Sequence, residues 1–186
     1  MKRDIEEILF DEDTIKGKIK ELAAKIQEDY KDKDLLMVGV LNGAVIFYVN
    51  LMMEMDIIME MNFIRVSSYG AGTKSSGNVR VLYDLETNIV GKDVLIVEDI
   101  IDSGNTLYAL REIFLSRGAR TVKSCCLLDK VERREANIMP DYVGFIVPDK
   151  FLVGYGLDFA GKYRNLKYVG VLKPEIYSVC RRSRRI

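Results

Sequence analysis

Three acids stand close together in the stretch VLIVEDIIDSGNTLYAL, which runs from Val94 to Leu110. Glu98 and Asp99 are adjacent and follow an apolar run, and Asp102 precedes a Ser-Gly-Asn-Thr loop. Adjacent carboxylates can bind hydroxyl groups or a hard cation such as Mg²⁺. A small, hydroxyl-rich loop that opens a helix can hold a phosphate monoester on its backbone N–H groups. This order of residues predicts a site for a phosphorylated sugar together with Mg²⁺.

The composition excludes several kinds of chemistry. The chain contains no histidine, so Ser-His-Asp triads and HExxH zinc sites are excluded, and acid–base catalysis must use carboxylates, Lys, Tyr or Cys. Cys125, Cys126 and Cys180 have no CxxC spacing, and we expect reduced thiols. The chain has no GxxxxGK[ST] motif for ATP-type phosphoryl transfer, and no GxGxxG follows a predicted strand, which argues against a dinucleotide-binding protein.

The charge balance argues against nucleic acid and membrane as partners. Lys+Arg and Asp+Glu both count 28 and the net charge is zero, whereas such partners are bound through excess positive charge. The basic tail at 181–186 is expected to be a solvated chain end. No apolar run approaches the roughly 18 residues that span a bilayer. The start, MKRDIEEILF, lacks a signal-peptide core, so a cytoplasmic protein is expected.

Apolar patterning predicts alternating helices and strands. Helices are predicted at 11–30, 45–55 and from near Thr106 to Gly118, and strands at 35–41, 56–68, 79–85, 94–97, 121–130, 142–148 and 168–172. This alternation indicates an α/β fold with a parallel sheet, in a single domain covering 1–186. Glu98 and Asp99 then stand at the carboxyl end of a strand, where such sheets bind ligands. The glycine-rich stretch 69–78 is expected to be a mobile loop.

The acid-rich stretch is similar to the phosphoribosyl-pyrophosphate (PRPP) motif of the type I phosphoribosyltransferases. Further blocks resemble the bacterial-type hypoxanthine-guanine phosphoribosyltransferases: VGVLNGA, FIRVSSYG, SSGNV, CLLDKVERR, and the long block at 142–172. The resemblance covers nearly the whole chain. It implies a twisted, mostly parallel sheet flanked by helices, with a small hood built from the chain ends and a purine-binding part at about 148–186. It also implies transfer of a phosphoribosyl group from PRPP to a 6-oxopurine with Mg²⁺, in a homodimer or homotetramer.

The resemblance also implies a role for each matching residue. Glu98 and Asp99 would hold the ribose hydroxyls and the metal, and Asp102 would relay the proton at purine N7. The 5-phosphate would lie in the loop formed by Asp102, Ser103, Gly104, Asn105 and Thr106. The purine would be bound by Lys130, Phe151, Leu152 and Asp158, and Asp158 would also help to hold the metal. Pyrophosphate would meet Asn42, Gly43, Arg65 and Arg164, under a lid that includes Ser68 and Tyr69.

The chain departs from the family pattern at the pyrophosphate turn. Asn42 stands where the family usually has Lys. In this turn the members of the family contain a non-proline cis peptide bond. Gly43 is kept, so binding through the backbone can survive, but a positive charge is lost. Ser103 replaces the usual Thr and Leu152 the usual Val, and both are minor changes.

Two other functions remain possible from the sequence. One is a nucleotide-responsive or RNA-binding regulator with the same fold, which would show a basic face and need not keep the purine-binding block. The other is a transferase acting on another base. Lys130 favours a 6-oxo group over the amino group of adenine, the blocks LLDK and VPDKF disfavour pyrimidines, and xanthine stays open.

Overall fold

The computed structural model describes residues 1–68 and 79–182. Its strands are β1 (Ile5–Phe10), β2 (Leu35–Leu41), β3 (Glu60–Ser68), β4 (Val79–Tyr83), β5 (Asp93–Ile101), β6 (Thr121–Asp129), β7 (Tyr142–Ile146), β8 (Leu152–Val153) and β9 (Val169–Leu172). Its helices are α1 (Glu12–Tyr30), α2 (Val45–Met53), α3 (Asn105–Ser116) and α4 (Pro174–Arg182). Among these described residues, no helix is both long and apolar enough to cross a membrane.

Six strands form the central sheet, in the order β4-β3-β2-β5-β6-β7. All neighbours are parallel except β3 and β4, which are antiparallel. Alternate residues of β5 face opposite sides: Leu95 and Val97 lie in the core beneath α1 and α2, while Val94 and Ile96 lie in the core beneath α3. Covering on both faces explains why β2 and residues 94–97 of β5 are continuously apolar. The predicted α/β class is confirmed.

The second sheet joins the two ends of the chain. β9 lies between β1 and β8 and is antiparallel to both. Helix α4 follows, and its Ile176 and Tyr177 pack against the apolar cluster that includes Val153 and Leu172 of this sheet. This three-stranded sheet with α4 is the hood. The sequence patterns did not predict β1 or α4. The predicted basic tail begins within α4, which ends at Arg182, and residues 183–186 lie outside the described part.

The largest difference from the predicted strands concerns the acids. β5 continues to Ile101 because Ile100 and Ile101 pair with Leu128 and Asp129 of β6. Glu98 and Asp99 therefore lie within the last part of the strand and not beyond its end. The other boundaries differ by a few residues: β3 begins at Glu60, α2 ends at Met53 and β4 ends at Tyr83.

A buried aspartate and a half-exposed arginine form an ion pair at the amino-terminal ends of β5 and β6. The Asp93 side chain is 2% exposed and pairs with the Arg120 guanidinium, whose Nε lies 3.2 Å from Oδ1. Thr121 Oγ1 donates a second hydrogen bond to the same carboxylate, at 2.6 Å. The hydrogen bond from Arg120 is the main reason that the pKa of Asp93 lies below its ordinary value of 3.8.

We expect Asp93→Asn to lower the free energy of unfolding at pH 7 by about 1–3 kcal/mol, the cost of losing a charge-assisted hydrogen bond. A carboxyl group whose pKa is lowered by folding stabilises the protein above its unfolded pKa and stops doing so as pH falls through the folded pKa. Urea denaturation should therefore show a difference between wild type and variant that is constant at neutral pH and shrinks below about pH 4. Exposed Asp32→Asn is the control. A difference that is unchanged at pH 3 would contradict the assignment.

Candidate functional site

The centre of the site is the adjacent pair Glu98 and Asp99. Glu98 is 7% exposed, and loss of hydration together with the neighbouring Asp99 charge raises its pKa well above the usual value. Loss of hydration also raises the pKa of Asp99, to about 6. The ionised form of both acids is therefore disfavoured. A bound cation or hydroxyl donors would stabilise the ionised forms.

The loop between β5 and α3 supplies a cavity beside these acids. Gly104 has φ +82°, a left-handed conformation that costs glycine little, and it allows the turn into α3 at Asn105. The cavity has a volume of about 210 Å³. It is lined by Glu98, Asp102, Ser103, Gly104 and Thr106, with Val40, Val66, Ile100, Ile101 and Leu107 as apolar walls. The first N–H groups of a helix at such a cavity favour an anion.

Asn105 makes hydrogen bonds both within this loop and beyond it. Its side-chain amide donates to Glu135 Oε2 at 3.0 Å, and its backbone N–H lies 3.4 Å from Ser103 Oγ. It does not line the cavity as described above. The structure therefore places Asn105 as a link between this loop and the segment that follows β6.

Gly43 and Gly156 bring two distant parts of the chain against Asp99. A methyl group on Gly43 would overlap the Asp99 carboxylate, and a methyl group on Gly156 would overlap the Gly43 carbonyl oxygen. Both positions therefore require glycine because of close approach. The preceding peptide bond, Leu41–Asn42, is cis, and the Asn42 side chain is exposed. Arg65 is the β3 residue that pairs with Leu41, so it stands beside this turn.

Arg164 and Asp158 join the same cluster from the hood side. Arg164 Nη2 lies 2.7 Å from Asp158 Oδ1, and Nη1 donates to the Gly156 carbonyl at 2.6 Å. Both charges act on Asp99: Arg164 lowers its pKa and Asp158 raises it. Asp158 also accepts a hydrogen bond from the Gly161 N–H at 2.7 Å. Within residues 1–68 and 79–182, no three acidic, Cys or His side chains are grouped so that they could hold a metal by themselves.

Lys130, Phe151 and Leu152 lie on the side of β6 and the hood. Lys130 follows β6, is 7% exposed, and its Nζ lies 3.5 Å from Asp149. Phe151 is 37% exposed, with Tyr177 of α4 stacked at 5.0 Å and Phe159 edge-on at 5.5 Å. Leu172 N–H donates to the Phe151 carbonyl. Because groups alternate along a strand, the N–H and C=O of Leu152 point away from β9, towards the open side of β8.

Some site residues were missed and others cannot be placed. Arg133 Nε lies 3.1 Å from Asp102 Oδ1 in an ion pair, and Arg133 also approaches Asp149. Its position in CLLDKVERR was a signal that the sequence reasoning did not use. Ser68 ends β3. Tyr69 and the predicted lid at 69–78 lie outside the described residues.

Comparison with known proteins identifies the relatives of this chain. The family model for the phosphoribosyl transferase domain matches residues 6–160. The chain is 52% identical over 177 residues to the hypoxanthine-guanine phosphoribosyltransferase of Bacillus subtilis, covering 95% of this chain and 98% of that protein. It is 50% identical over 178 residues to the enzyme of the same name from Streptococcus pyogenes, covering 96% and 99%.

A solved structure gives the same result. The crystal structure of a hypoxanthine phosphoribosyltransferase from Staphylococcus aureus superimposes with a TM-score of 0.93 at 45% identity, covering 95% of this chain and 96% of that chain. The likeness therefore extends through the hood as well as the central sheet. The sequence, the fold and these relatives agree, and the chain belongs to the phosphoribosyltransferase family, as one of its hypoxanthine-guanine phosphoribosyltransferases.

Proposed function

We propose that the protein transfers the 5-phosphoribosyl group of PRPP to hypoxanthine or guanine, giving IMP or GMP and pyrophosphate in purine salvage. The observation that carries this proposal is the meeting of acids, phosphate-sized cavity and glycine turn at one edge of the sheet. The full-length relatives of the same name support it. They do not favour the alternative of a nucleotide-responsive regulator.

Glu98 and Asp99 are proposed to bind the ribose hydroxyls and Mg²⁺. The donor set fits the metal, because Mg²⁺ is usually held by one or two carboxylates together with substrate oxygens and water, so a complete protein cage is not needed. The raised pKa values of both acids support an expected cation. When bound, Mg²⁺ would supply positive charge for the departing pyrophosphate. Asp158 is the third acid nearby, held by Arg164.

The cavity formed by Asp102, Ser103, Gly104 and Thr106 is proposed to hold the 5-phosphate, with Asn105 opening the helix whose N–H groups face it. Asp102 is proposed to accept the proton at purine N7 as N9 attacks the ribosyl carbon, a role that a carboxylate can fill in a chain without histidine. Arg133, whose Nε lies 3.1 Å from Asp102 Oδ1, would hold this side chain in place.

The base is proposed to lie between the β6 end and the hood. The Lys130 ammonium would donate to the 6-oxygen, and the outward N–H and C=O of Leu152 would meet the edge of the base. The exposed part of Phe151 would stack on it, and Asp158 would stand at its hood side. We include xanthine among the bases to be tested.

The opposite end of the substrate is proposed to lie at the glycine turn. Arg164, Arg65 and the backbone of Asn42 and Gly43 would bind pyrophosphate, and the segment with Ser68 and Tyr69 would close over the reaction centre to exclude water. Asn42 leaves this end with one charge fewer than its family usually has. We also propose that residues 1–186 act as one domain, in a cytoplasmic homodimer or homotetramer. The free thiols Cys125 and Cys126 are consistent with a reducing compartment.

A pyrophosphate-release assay with PRPP, Mg²⁺ and one base at a time tests the whole proposal. We expect turnover with hypoxanthine and guanine, little with adenine, and none after chelation of Mg²⁺. Asp102→Asn should lower kcat by about 10²–10⁴-fold, the usual contribution of general acid–base catalysis, with less change in the KM for PRPP. Binding of PRPP or a nucleotide without turnover on any base would instead favour the regulator.

The 6-oxo preference should depend on the Lys130 ammonium. Lys130→Met keeps the length of the side chain and removes the donor, and should lower kcat/KM for hypoxanthine and guanine by about 10–100-fold, corresponding to ~1.4–2.8 kcal/mol. The ratio of activity on hypoxanthine to activity on adenine should fall with it. Lys150→Met, which removes an exposed lysine paired with Glu7, is the control. An unchanged ratio would refute the role of Lys130.

Close approach at Gly43 predicts a large effect of a single methyl group. Gly43→Ala should reduce kcat/KM by at least about 100-fold, because the new Cβ displaces the Asp99 carboxylate. Gly17→Ala, in an open position of α1, should leave activity unchanged and raise stability by about 0.5–1 kcal/mol. Steady-state kinetics and urea denaturation on both variants separate the two effects. Near-wild-type activity of Gly43→Ala would show that the turn does not constrain Asp99.

A further inference from the structure

The segment 131–138, here called the bracing segment, lies directly behind the loop proposed to bind the 5-phosphate. The Ser103 carbonyl accepts hydrogen bonds from the N–H groups of Glu135 at 2.9 Å and Ala136 at 3.0 Å. The Glu135 carboxylate accepts from the Asn105 side chain at 3.0 Å. Both the backbone and a side chain of the loop are therefore tied to the bracing segment.

Arg134 is the part of the bracing segment that reaches furthest inward. Its side chain is 12% exposed and forms an ion pair with Asp129, which is 2% exposed. Its Nη1 also donates to the Ile138 carbonyl at 3.2 Å. A methyl group on Gly104 would stand 2.9 Å from Arg134 Cδ and 3.1 Å from Ile138 Cγ2. The aliphatic stem of Arg134 thus packs against the backbone of the loop at its left-handed residue.

Asp129, the partner of Arg134, shows which parts of the site this contact joins. Asp129 is the last residue of β6 and immediately precedes Lys130. Burying an ion pair costs about as much hydration free energy as the attraction between the two charges contributes, so such a pair adds little to stability. Its geometry can nevertheless specify a conformation. In agreement, burial leaves the pKa of Asp129 raised despite the neighbouring guanidinium. The ion pair connects the loop to the strand end that carries Lys130.

We propose that Arg134 is a positioning residue. Through Asp129 on one side and Gly104 and Ile138 on the other, it holds the Ser103–Thr106 loop at a fixed distance from Lys130. The two ends of the reactants, the 5-phosphate and the base, are thereby kept in register without Arg134 touching either. This inference rests on the proposed function in naming the ligand of the loop as the 5-phosphate of PRPP and the ligand at Lys130 as the base.

The test compares two arginines that each pair with an aspartate of equal burial. Arg120 pairs with Asp93, also 2% exposed, at the opposite edge of the same strands. Calorimetry with Mg²⁺ and either ribose 5-phosphate or pyrophosphate, steady-state kinetics and thermal melting are measured for wild type, Arg134→Gln, Arg134→Lys and Arg120→Gln. Arg134→Gln should weaken ribose 5-phosphate binding and raise the KM for PRPP by tenfold or more, with pyrophosphate affinity within twofold of wild type. Arg134→Lys should recover part of the loss, and Arg120→Gln should change only the melting temperature.

Several results would overturn the proposal. One is equal weakening of ribose 5-phosphate and pyrophosphate; another is an Arg134→Gln variant that, like Arg120→Gln, melts earlier but binds normally. If Arg134→Gln does not fold, Asp129→Asn carries the same comparison, and failure of both to fold would make the pair a determinant of folding and not of ligand position. Absence of turnover in wild type, with ribose 5-phosphate still bound, would refute the proposed transferase and leave this test intact.

Discussion

Burial of two adjacent carboxyl groups, Glu98 and Asp99, is the constraint on which the rest of the site depends. They lie within the apolar central strand, where an ionised acid has lost most of its hydration. The neighbouring backbone approaches closely, since Gly43 contributes no side chain where the Asp99 carboxylate lies and Gly156 none where Gly43 lies. Backbone hydrogen bonds at Asp99 and Ile100 offset part of the rise in the pKa of Asp99. Arg164 is the positive charge that acts on Asp99, and it is shared with Asp158. The acids are therefore left incompletely compensated, which favours a cationic or hydroxyl-bearing ligand.

The central sheet and the hood position different residues of the site. The central parallel sheet fixes the acids and the end of β6 relative to each other, because β5 and β6 pair along their whole length. The hood presents Phe151 and the Leu152 backbone from a separate sheet, and the turn containing Gly156 joins the hood to the acids. Beyond the last β5–β6 pair, where the Lys130 N–H also donates to the Ile101 carbonyl, the Ser103–Thr106 loop is held by the contacts of the bracing segment. Catalytic geometry on loops generally needs such support from neighbouring side chains.

The sequence was informative where structure is decided locally. Apolar runs predicted β2, the first part of β5 and β6, and the acid-rich motif with its glycine located the loop and the start of α3 to within a residue. The strand β1 was missed because IEEILF shows neither the strand period nor the helix period clearly, and β9, with which it pairs, lies about 160 residues away. The position of Glu98 and Asp99 inside β5 depends on pairing with Leu128 and Asp129, which no local pattern reveals. The sequence likewise did not reveal the partner of Arg134, since the spacing of charges in CLLDKVERR does not show which acid is buried.

The pairing of β1 with β9 has a consequence for the synthesis of the protein. Residues 5–10 leave the ribosome about 160 residues before their partner strand, and α4, which supports Phe151 through Tyr177, follows that strand. The central sheet has all its strands once residue 146 has emerged. The hood, by contrast, must close over a separation of nearly the whole chain, which is entropically costly and slow. A nascent chain thus completes the sheet that carries the cavity before it has Phe151, the residue proposed to stack on the base.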